Sequence, residues 1–216
     1  MLKAVLFDFD GVIARSEELH MKTFLDLLEP YDIEVSKKRW WTEFSGTGSR
    51  HIFNVLVKEN NLPEDPANLV EKRKKIYQDE VMKGGLKEVE GIKEFLQALH
   101  AKGIKTAVVS GSHRANVLTA IEILDLPKFD AIVCGDDLLD RKPSPVPFLH
   151  AVKLLAVKPE ECVAFEDSLS GMISVKAANL PLICVYAHPD LDQSRCDLKI
   201  KDYLKLKITD LERLLA

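Results

Sequence analysis

Short apolar runs alternate with amphipathic segments along most of this chain. The runs are continuous, which is typical of parallel strands covered on both faces. The segments between them place apolar residues three and four positions apart, as one face of a helix requires. We predict strands at Lys3–Phe7, Lys105–Val109, Ala131–Cys134, Val163–Phe165 and Leu182–Val185. We predict helices at Ile92–Ala101, Arg114–Leu124, Val146–Leu155 and Leu169–Ala178. The alternation predicts an α/β fold with a doubly wound, mainly parallel, Rossmann-like sheet.

The connection after the first strand is far longer than a strand-to-helix crossover needs. It contains only helical patterns, at Glu17–Glu29, Lys37–Phe44, His51–Asn60 and Asn68–Met82. We therefore predict a helical cap domain over residues 15–85, inserted into an α/β catalytic core formed by residues 1–14 and 86–216.

Composition and charge narrow the class of protein. The 216 residues are 46% hydrophobic and 30% charged, with a net charge of −4. This balance offers no broad positive field for nucleic acid. The chain contains no apolar run near the roughly 20 residues of a membrane helix. The apolar stretch at the N-terminus is interrupted by Asp8 and Asp10, unlike the core of a secretory signal. We expect a soluble cytoplasmic protein with no nucleic-acid or membrane partner and no obligate protein partner.

The cysteines are few and widely spaced. Cys134, Cys162 and Cys184 lie in or beside apolar stretches, and Cys196 is the fourth. We predict that the first three are small buried side chains in a reducing compartment, and that the chain has no disulfide framework. Without closely spaced ligands, a zinc site is not expected either.

Polar residues follow the predicted strands where ligands bind in an open α/β sheet, beyond the carboxyl ends. The first strand leads into Asp8-Phe9-Asp10-Gly11, the second into Ser110-Gly111-Ser112 and the fourth into Glu166-Asp167. Lys142 precedes the helix of another unit. Each group alone has a structural explanation as a turn, a helix cap or a solvated lysine. Their shared placement at one edge of the sheet favours a chemical role.

This set of residues suits phosphoryl transfer. A carboxylate at Asp8 can attack phosphorus, and Asp10 can protonate the leaving oxygen and then activate water. Asp8 and Asp167 supply the hard oxygen ligands that Mg²⁺ prefers. The Ser110 hydroxyl and the Lys142 ammonium can stabilise the negative charge on the phosphoryl oxygens. Gly11 lets the backbone amides approach the phosphate closely.

The motifs resemble those of the haloacid-dehalogenase-like superfamily, in the subfamily with a helical cap after the first strand. The matching segments span nearly the whole chain: FDFDGV at residues 7–12, VVSGS at 108–112, RKPSP at 141–145 and FEDSLSG at 165–171. Arg141 stands where the family often has glycine, and we expect it to face solvent.

The resemblance implies a phosphatase that acts on a small phosphorylated metabolite, of sugar phosphate or phosphoglycolate type, through an aspartyl-phosphate. It implies Asp8 as nucleophile, with metal ligands from Asp8, Asp167 and the Asp10 backbone carbonyl. Glu166, beside Asp167, is a further candidate metal ligand. Mg²⁺ is the expected ion, and Mn²⁺ is an alternative. Ser110 and Lys142 would hold the phosphate, together with Gly11, Gly111 and Ser112.

Two other functions stay open at this point. β-Phosphoglucomutases share these motifs, which do not separate hydrolysis of the aspartyl-phosphate from its transfer to a second hydroxyl. The second alternative is a noncatalytic protein that binds a metabolite on the same fold. Such a protein would have no physical need to retain all four of Asp8, Asp10, Lys142 and Asp167, which argues against it.

The cap is expected to set specificity, because it closes over the core and excludes water. The turn at residues 44–51 presents Thr47, Ser49 and Arg50 as candidate substrate ligands, or is an ordinary turn between helices. The run at residues 72–75 is expected to be a solvated face, with contact to the cleft as the alternative. His20 is expected to line the cleft or to pack within the cap. We expect Trp40-Trp41 to pack the cap, although one indole could line the pocket.

Overall fold

The sheet at the centre of the protein is parallel throughout. The computed structural model describes residues 1–45, 47–185 and 191–215. The strands are β1 (Ala4–Phe7), β2 (Lys105–Val109), β3 (Ala131–Val133), β4 (Cys162–Glu166), β5 (Leu182–Val185) and β6 (Leu198–Ile200). Their order is β3-β2-β1-β4-β5-β6, so the chain reverses its direction of winding between β1 and β4. This is the doubly wound order, and it confirms the predicted fold class.

Helices cover both faces of this sheet. The helices that follow the cap segment are α5 (Ile92–Ala101), α6 (Arg114–Ile123), α7 (Val146–Leu154), α8 (Leu169–Ala177) and α9 (Ile208–Arg213). One apolar cluster packs α5, α6 and α9 against the sheet, and a second packs α7 and α8 against the opposite face. The inner strands are therefore buried on both sides, which is why their sequences are apolar throughout.

The helices between β1 and α5 have an apolar core of their own. They are α1 (Glu17–Leu28), α2 (Lys37–Arg39), which continues into a π-helical turn at Trp40–Phe44, α3 (Ser49–Asn60) and α4 (Pro66–Glu80). Their shared cluster is centred on buried aromatic and aliphatic side chains, among them Phe24, Trp40, Phe44, Phe53 and Leu56. The division of the chain at residues 15 and 85 remains a prediction.

Two linkers join these helices to the sheet, and they run side by side. Ala14 on the outgoing linker forms an antiparallel bridge with Glu88 on the returning one. The Arg15 amide donates to the Lys87 carbonyl at 2.7 Å, and the Val89 amide donates to the Ile13 carbonyl at 2.8 Å. The Arg15 and Glu90 side chains form an ion pair across the linkers. The paired backbones hold both ends of the insertion close to the end of β1.

The prediction for the cysteines is wrong at one pair. Cys184 on β5 is joined to Cys196 by a disulfide, with the Cα atoms 5.7 Å apart. Cys134 and Cys162 are free and buried, as predicted. Twelve positions separate the paired cysteines, so spacing alone does not reveal the pairing. They meet because β5 and β6 are neighbours, and Cys196 lies two residues before β6.

β6 and α9 are not predicted by the sequence pattern. β6 has three residues with an exposed lysine at its centre, and it lies at the edge of the sheet. Edge strands with a central lysine lack the continuous apolar pattern of inner strands.

Among the described residues, no helix is long and apolar enough to cross a membrane.

Candidate active site

Asp8 and Asp167 lie side by side because they follow adjacent strands. β1 pairs with β4 in the sheet, and the Asp8 amide donates to the Phe165 carbonyl at 3.0 Å. Both aspartates are buried. The site therefore lies at the reversal of winding between β1 and β4, where open α/β sheets bind ligands.

Lys142 bridges two of the acidic residues. Its Nζ lies 2.5 Å from Asp8 Oδ1 and 2.5 Å from Glu166 Oε1. Burial alone would lower the pKa of Lys142, but the charges of Asp8 and Glu166 raise it above the ordinary value. The ammonium therefore stays charged beside the predicted nucleophile. This is the place that the sequence predicted for a cation.

Glu166 is held by several donors. Its Oε2 accepts from the Asp167 amide at 2.9 Å, from the Ser168 amide at 3.0 Å and from the Ser168 hydroxyl at 3.0 Å. A Cβ at Gly171 would lie 1.8 Å from Glu166 Oε1, so only glycine leaves room for this carboxylate. These contacts fix Glu166 beneath Lys142. Its predicted role as a metal ligand stays a prediction.

Three carboxylates crowd one point of the site. Oxygen atoms of Asp8, Glu166 and Asp167 all lie within 4.8 Å of one another, and all three residues are buried. Burial raises the pKa of Asp167 well above its ordinary value, and the charges of Glu166 and Asp8 raise it further. Burial raises the pKa of Asp8 as well, and the charges of Glu166 and Asp10 raise it further, although Lys142 opposes the shift. A divalent cation would relieve this repulsion, so the donor set fits Mg²⁺.

Gly11 allows the loop after β1 to approach Asp167. Its φ angle is +80°, in the region that favours glycine, and a Cβ at this position would lie 1.9 Å from Asp167 Oδ2. The backbone next to Asp10 therefore passes directly over Asp167, one of the predicted metal ligands. A similar contact occurs at Gly135, where a Cβ would lie 2.2 Å from the Gly111 carbonyl oxygen. The motifs did not single out Gly135.

Asp10 is surrounded by hydrogen-bond donors. Its Oδ1 accepts from the Ser16 hydroxyl at 2.6 Å, and its Oδ2 accepts from the Ser112 hydroxyl at 2.8 Å. His20 Nε2 lies 3.4 Å from Oδ1, and the Ser110 hydroxyl lies 3.5 Å from Oδ2. Burial alone would raise the pKa of Asp10, but the bonds from His20, Ser16 and Ser112 lower it below the ordinary range. The structure therefore favours the carboxylate form.

Arg73 determines which nitrogen of His20 carries the proton. Its guanidinium contacts His20 Nδ1 and also donates to Ser49 Oγ at 2.7 Å. A guanidinium can only donate, so Nδ1 must accept and Nε2 carries the hydrogen that faces Asp10. The Arg73 guanidinium also lies over the rings of Phe24 and Tyr77, at 4.6 and 5.1 Å from their centroids. Burial lowers the pKa of Arg73 to about 10.

The cap predictions have mixed outcomes. In the run at residues 72–75, the three lysines are exposed as expected, but Arg73 is buried and reaches towards the cleft. Its signal was the fit of position 73 to the buried face of α4, beside Leu69 and Tyr77. Thr47 donates to the Phe44 carbonyl at 2.8 Å, and Arg50 is exposed. Substrate contacts by Thr47, Ser49 and Arg50 remain predictions, and Gly46 of the same turn lies outside the described residues.

The geometry agrees with what the chain matches among known families. Residues 5–185 match the model of haloacid dehalogenase-like hydrolases. The chain belongs to this family. This match confirms the resemblance predicted from the motifs and the predicted enzyme class, a phosphatase.

Three relatives illustrate the match. The chain is 34% identical to the chloroplastic protein SUPPRESSOR OF QUENCHING 1 of Arabidopsis thaliana over 85% of its own length, but spans 18% of that protein. It is 30% identical to the protein CbbY of Rhodobacter capsulatus, over 93% of each chain. The crystal structure of CbbY from Rhodobacter sphaeroides in complex with xylulose-(1,5)bisphosphate superposes with a TM-score of 0.83 at 25% identity, covering 95% of this chain and 96% of the other.

Proposed function

We propose that this protein is a Mg²⁺-dependent phosphatase of a small phosphorylated sugar, and that it works through an aspartyl-phosphate on Asp8. The observation that carries the proposal is the contact of Lys142 with Asp8 and Glu166 next to Asp167, at the reversal of winding in the sheet. A related CbbY structure contains a sugar bisphosphate, which supports a sugar phosphate as the substrate class.

In the proposed reaction, Asp8 is the nucleophile. Its carboxylate oxygen forms a bond to phosphorus while the bond to the ester oxygen breaks, which gives an acyl phosphate and an alcohol. Lys142 offsets the charge on the attacked phosphoryl group and on Asp8 itself. The hydroxyls of Ser110 and Ser112 lie on the same side of the site, near Asp10, and can donate to phosphoryl oxygens.

Asp10 handles the protons of both half-reactions. It gives a proton to the leaving ester oxygen, and as a carboxylate it then takes one from the water that attacks the acyl phosphate. The hydrogen bonds of Ser16, Ser112 and His20 favour the carboxylate that the second half-reaction needs. The proton that Asp10 takes from water in that step is the one that it gives to the leaving oxygen of the next substrate. Hydrolysis returns Asp8 as a carboxylate and releases inorganic phosphate.

The metal site would be formed by Asp8, Asp167 and the Asp10 backbone carbonyl. When bound, Mg²⁺ supplies positive charge that offsets these carboxylates and the phosphoryl oxygens. Mn²⁺ takes similar oxygen ligands and is a possible replacement.

The test is inorganic phosphate release from a panel of sugar phosphates, phosphoglycolate and acetyl phosphate, with Mg²⁺ and with EDTA. We expect metal-dependent release that Asp8→Asn abolishes. The exposed Asp79 on α4 provides the matched control, and Asp79→Asn should retain full activity. Conversion of a hexose 1-phosphate without phosphate release would instead support a phosphomutase. Inactivity on the whole panel by the folded protein would contradict the proposal.

A further inference from the structure

A cavity extends outward from the phosphate end of the site. Gly11 and Asp167 are among its lining residues, and it is partly open to solvent. The remaining lining residues are Arg15, Glu17, Glu18, Trp41, Val89 and Lys201. The cavity is therefore the place for the part of the substrate that lies beyond the phosphoryl group.

Glu17 offers this cavity a carboxylate with a fixed orientation. It is the first residue of α1, and its Oε2 accepts from the Trp40 indole Nε1 at 3.1 Å. Trp40 is itself buried in the cap core, with its ring 5.2 Å from that of Phe24. A carboxylate has about four accepting positions, so Glu17 retains capacity for further donors.

The electrostatics of Glu17 indicate that more donors would be favourable. Burial raises its pKa above the ordinary value, and the charge of Asp10 adds to the shift. A partly desolvated carboxylate of this kind gains stability from hydrogen bonds to its charged form. Hydroxyl groups of a bound ligand would supply such bonds.

Trp41 gives the same cavity an aromatic wall. It follows Trp40 in the π-helical turn, and it is half-buried where Trp40 is fully buried. The face of an indole carries partial negative charge, which attracts the weakly positive C–H groups of a carbon skeleton. An aromatic wall beside a carboxylate acceptor suits a ligand that has C–H groups and hydroxyl donors on the same skeleton.

The charges of the cavity favour an uncharged skeleton. Its lining has two cationic residues, Arg15 and Lys201, against two acidic residues, Glu17 and Glu18, in addition to Asp167. Arg15 is also ion-paired with Glu90. The wall therefore has no excess of positive charge that would bind a second phosphate.

We propose that Glu17 and Trp41 are specificity-determining residues that recognise the hydroxylated, uncharged carbon skeleton of a sugar monophosphate. Glu17 accepts hydrogen bonds from the sugar hydroxyls, and Trp41 packs against the C–H groups. The inference rests on the proposed phosphatase function and narrows its substrate class.

The test compares substrates with and without a sugar skeleton. Acetyl phosphate carries the phosphoryl group and no hydroxyl, while glucose 6-phosphate and ribose 5-phosphate carry both. Fructose 1,6-bisphosphate adds a second phosphate. We expect the better sugar monophosphate to exceed acetyl phosphate and the bisphosphate in kcat/KM by at least about tenfold, since two or three hydrogen bonds of about 1 kcal/mol each would be added.

The variants separate recognition from general damage. Glu17→Gln should raise KM for the better sugar monophosphate about tenfold, and Trp41→Leu about fivefold, with kcat nearly unchanged. Both variants should turn over acetyl phosphate within about twofold of the unmodified protein. Glu71, exposed on α4, provides the matched control, and Glu71→Gln should change neither substrate.

Three results would overturn the inference: no preference for a sugar monophosphate, a preference for the bisphosphate, or equal losses on acetyl phosphate and on the sugar. Asp8→Asn distinguishes these from failure of the proposed function. If acetyl phosphate is hydrolysed in an Asp8-dependent reaction while sugars are not preferred, the phosphatase proposal stands and the specificity inference fails.

Discussion

Replacing Asp167 with asparagine should stabilise the metal-free protein and remove its response to Mg²⁺. The carboxylate of Asp167 is buried, and its oxygens lie within 4.8 Å of those of Asp8 and Glu166. Asparagine has nearly the same shape and no charge. The change therefore removes a repulsion while it leaves the packing of the site in place.

The size of the effect follows from the distance. Two unit charges 4.8 Å apart repel by about 3 kcal/mol at an effective dielectric constant near 20. Lys142 offsets part of this repulsion, because it contacts both Asp8 and Glu166. We expect a gain of roughly 1–3 kcal/mol in the free energy of unfolding, which corresponds to about 2–12 °C in Tm for a chain of this size.

The gain should depend on pH. The pKa of Asp167 is raised in the folded protein by burial first, and then by Glu166 and Asp8. Between the ordinary value near 4 and the raised value, the folded protein binds more protons than the unfolded chain, so its stability falls as the pH rises through this window. The Asp167→Asn variant has no ionisable group at this position, so its stability does not fall with pH for this reason. The difference in Tm between the two proteins should be largest near neutral pH and should shrink towards pH 4.

Thermal unfolding in EDTA and in Mg²⁺ measures both effects. At about 100 times its Kd, Mg²⁺ should stabilise the unmodified protein by roughly 2.7 kcal/mol, and the variant should lose most of this shift. Asp79→Asn is the control and should behave as the unmodified protein does. A variant that is less stable than the unmodified protein in EDTA at neutral pH would refute the reasoning from crowded carboxylates.

Further predictions concern the backbone, the cap and the cysteines. Gly11→Ala should reduce phosphate release more than about 100-fold and lower Tm by a few degrees. The added Cβ would lie 1.9 Å from Asp167 Oδ2, and the φ angle of +80° is unfavourable for alanine. Full activity in the phosphate-release assay would contradict the proposed close approach. Arg73→Met should lower kcat about tenfold, because it removes the hydrogen bond that orients His20. Arg73→Lys keeps a donor and should restore most of the rate. Equal losses in both variants would indicate a purely structural role. Iodoacetamide at pH 8 should label no cysteine of the native protein, because burial raises the pKa of both free thiols to about 12. Mass spectrometry should then detect two labels after denaturation and four after denaturation with reduction, whereas four labels without reduction would contradict the disulfide.

The motif residues of the site could be predicted from the sequence for a simple geometric reason. In a parallel sheet every strand ends at the same edge, so residues that follow buried strands come together whatever their separation along the chain. Asp8 directly follows β1 and Asp167 directly follows β4, and these two strands are neighbours in the sheet. The apolar runs that predict the strands therefore also place these side chains.

The sequence by itself determined the fold class, the inner strands and the acidic site at their ends, because each depends on a local pattern of apolar residues and a few short motifs. The tertiary structure alone decided the disulfide between Cys184 and Cys196 and the short edge strand β6. It also decided that Glu17 and Trp41 line one cavity with Gly11 and Asp167. These features depend on how elements distant in sequence pack together, and the energy of such contacts leaves no periodic trace in the chain.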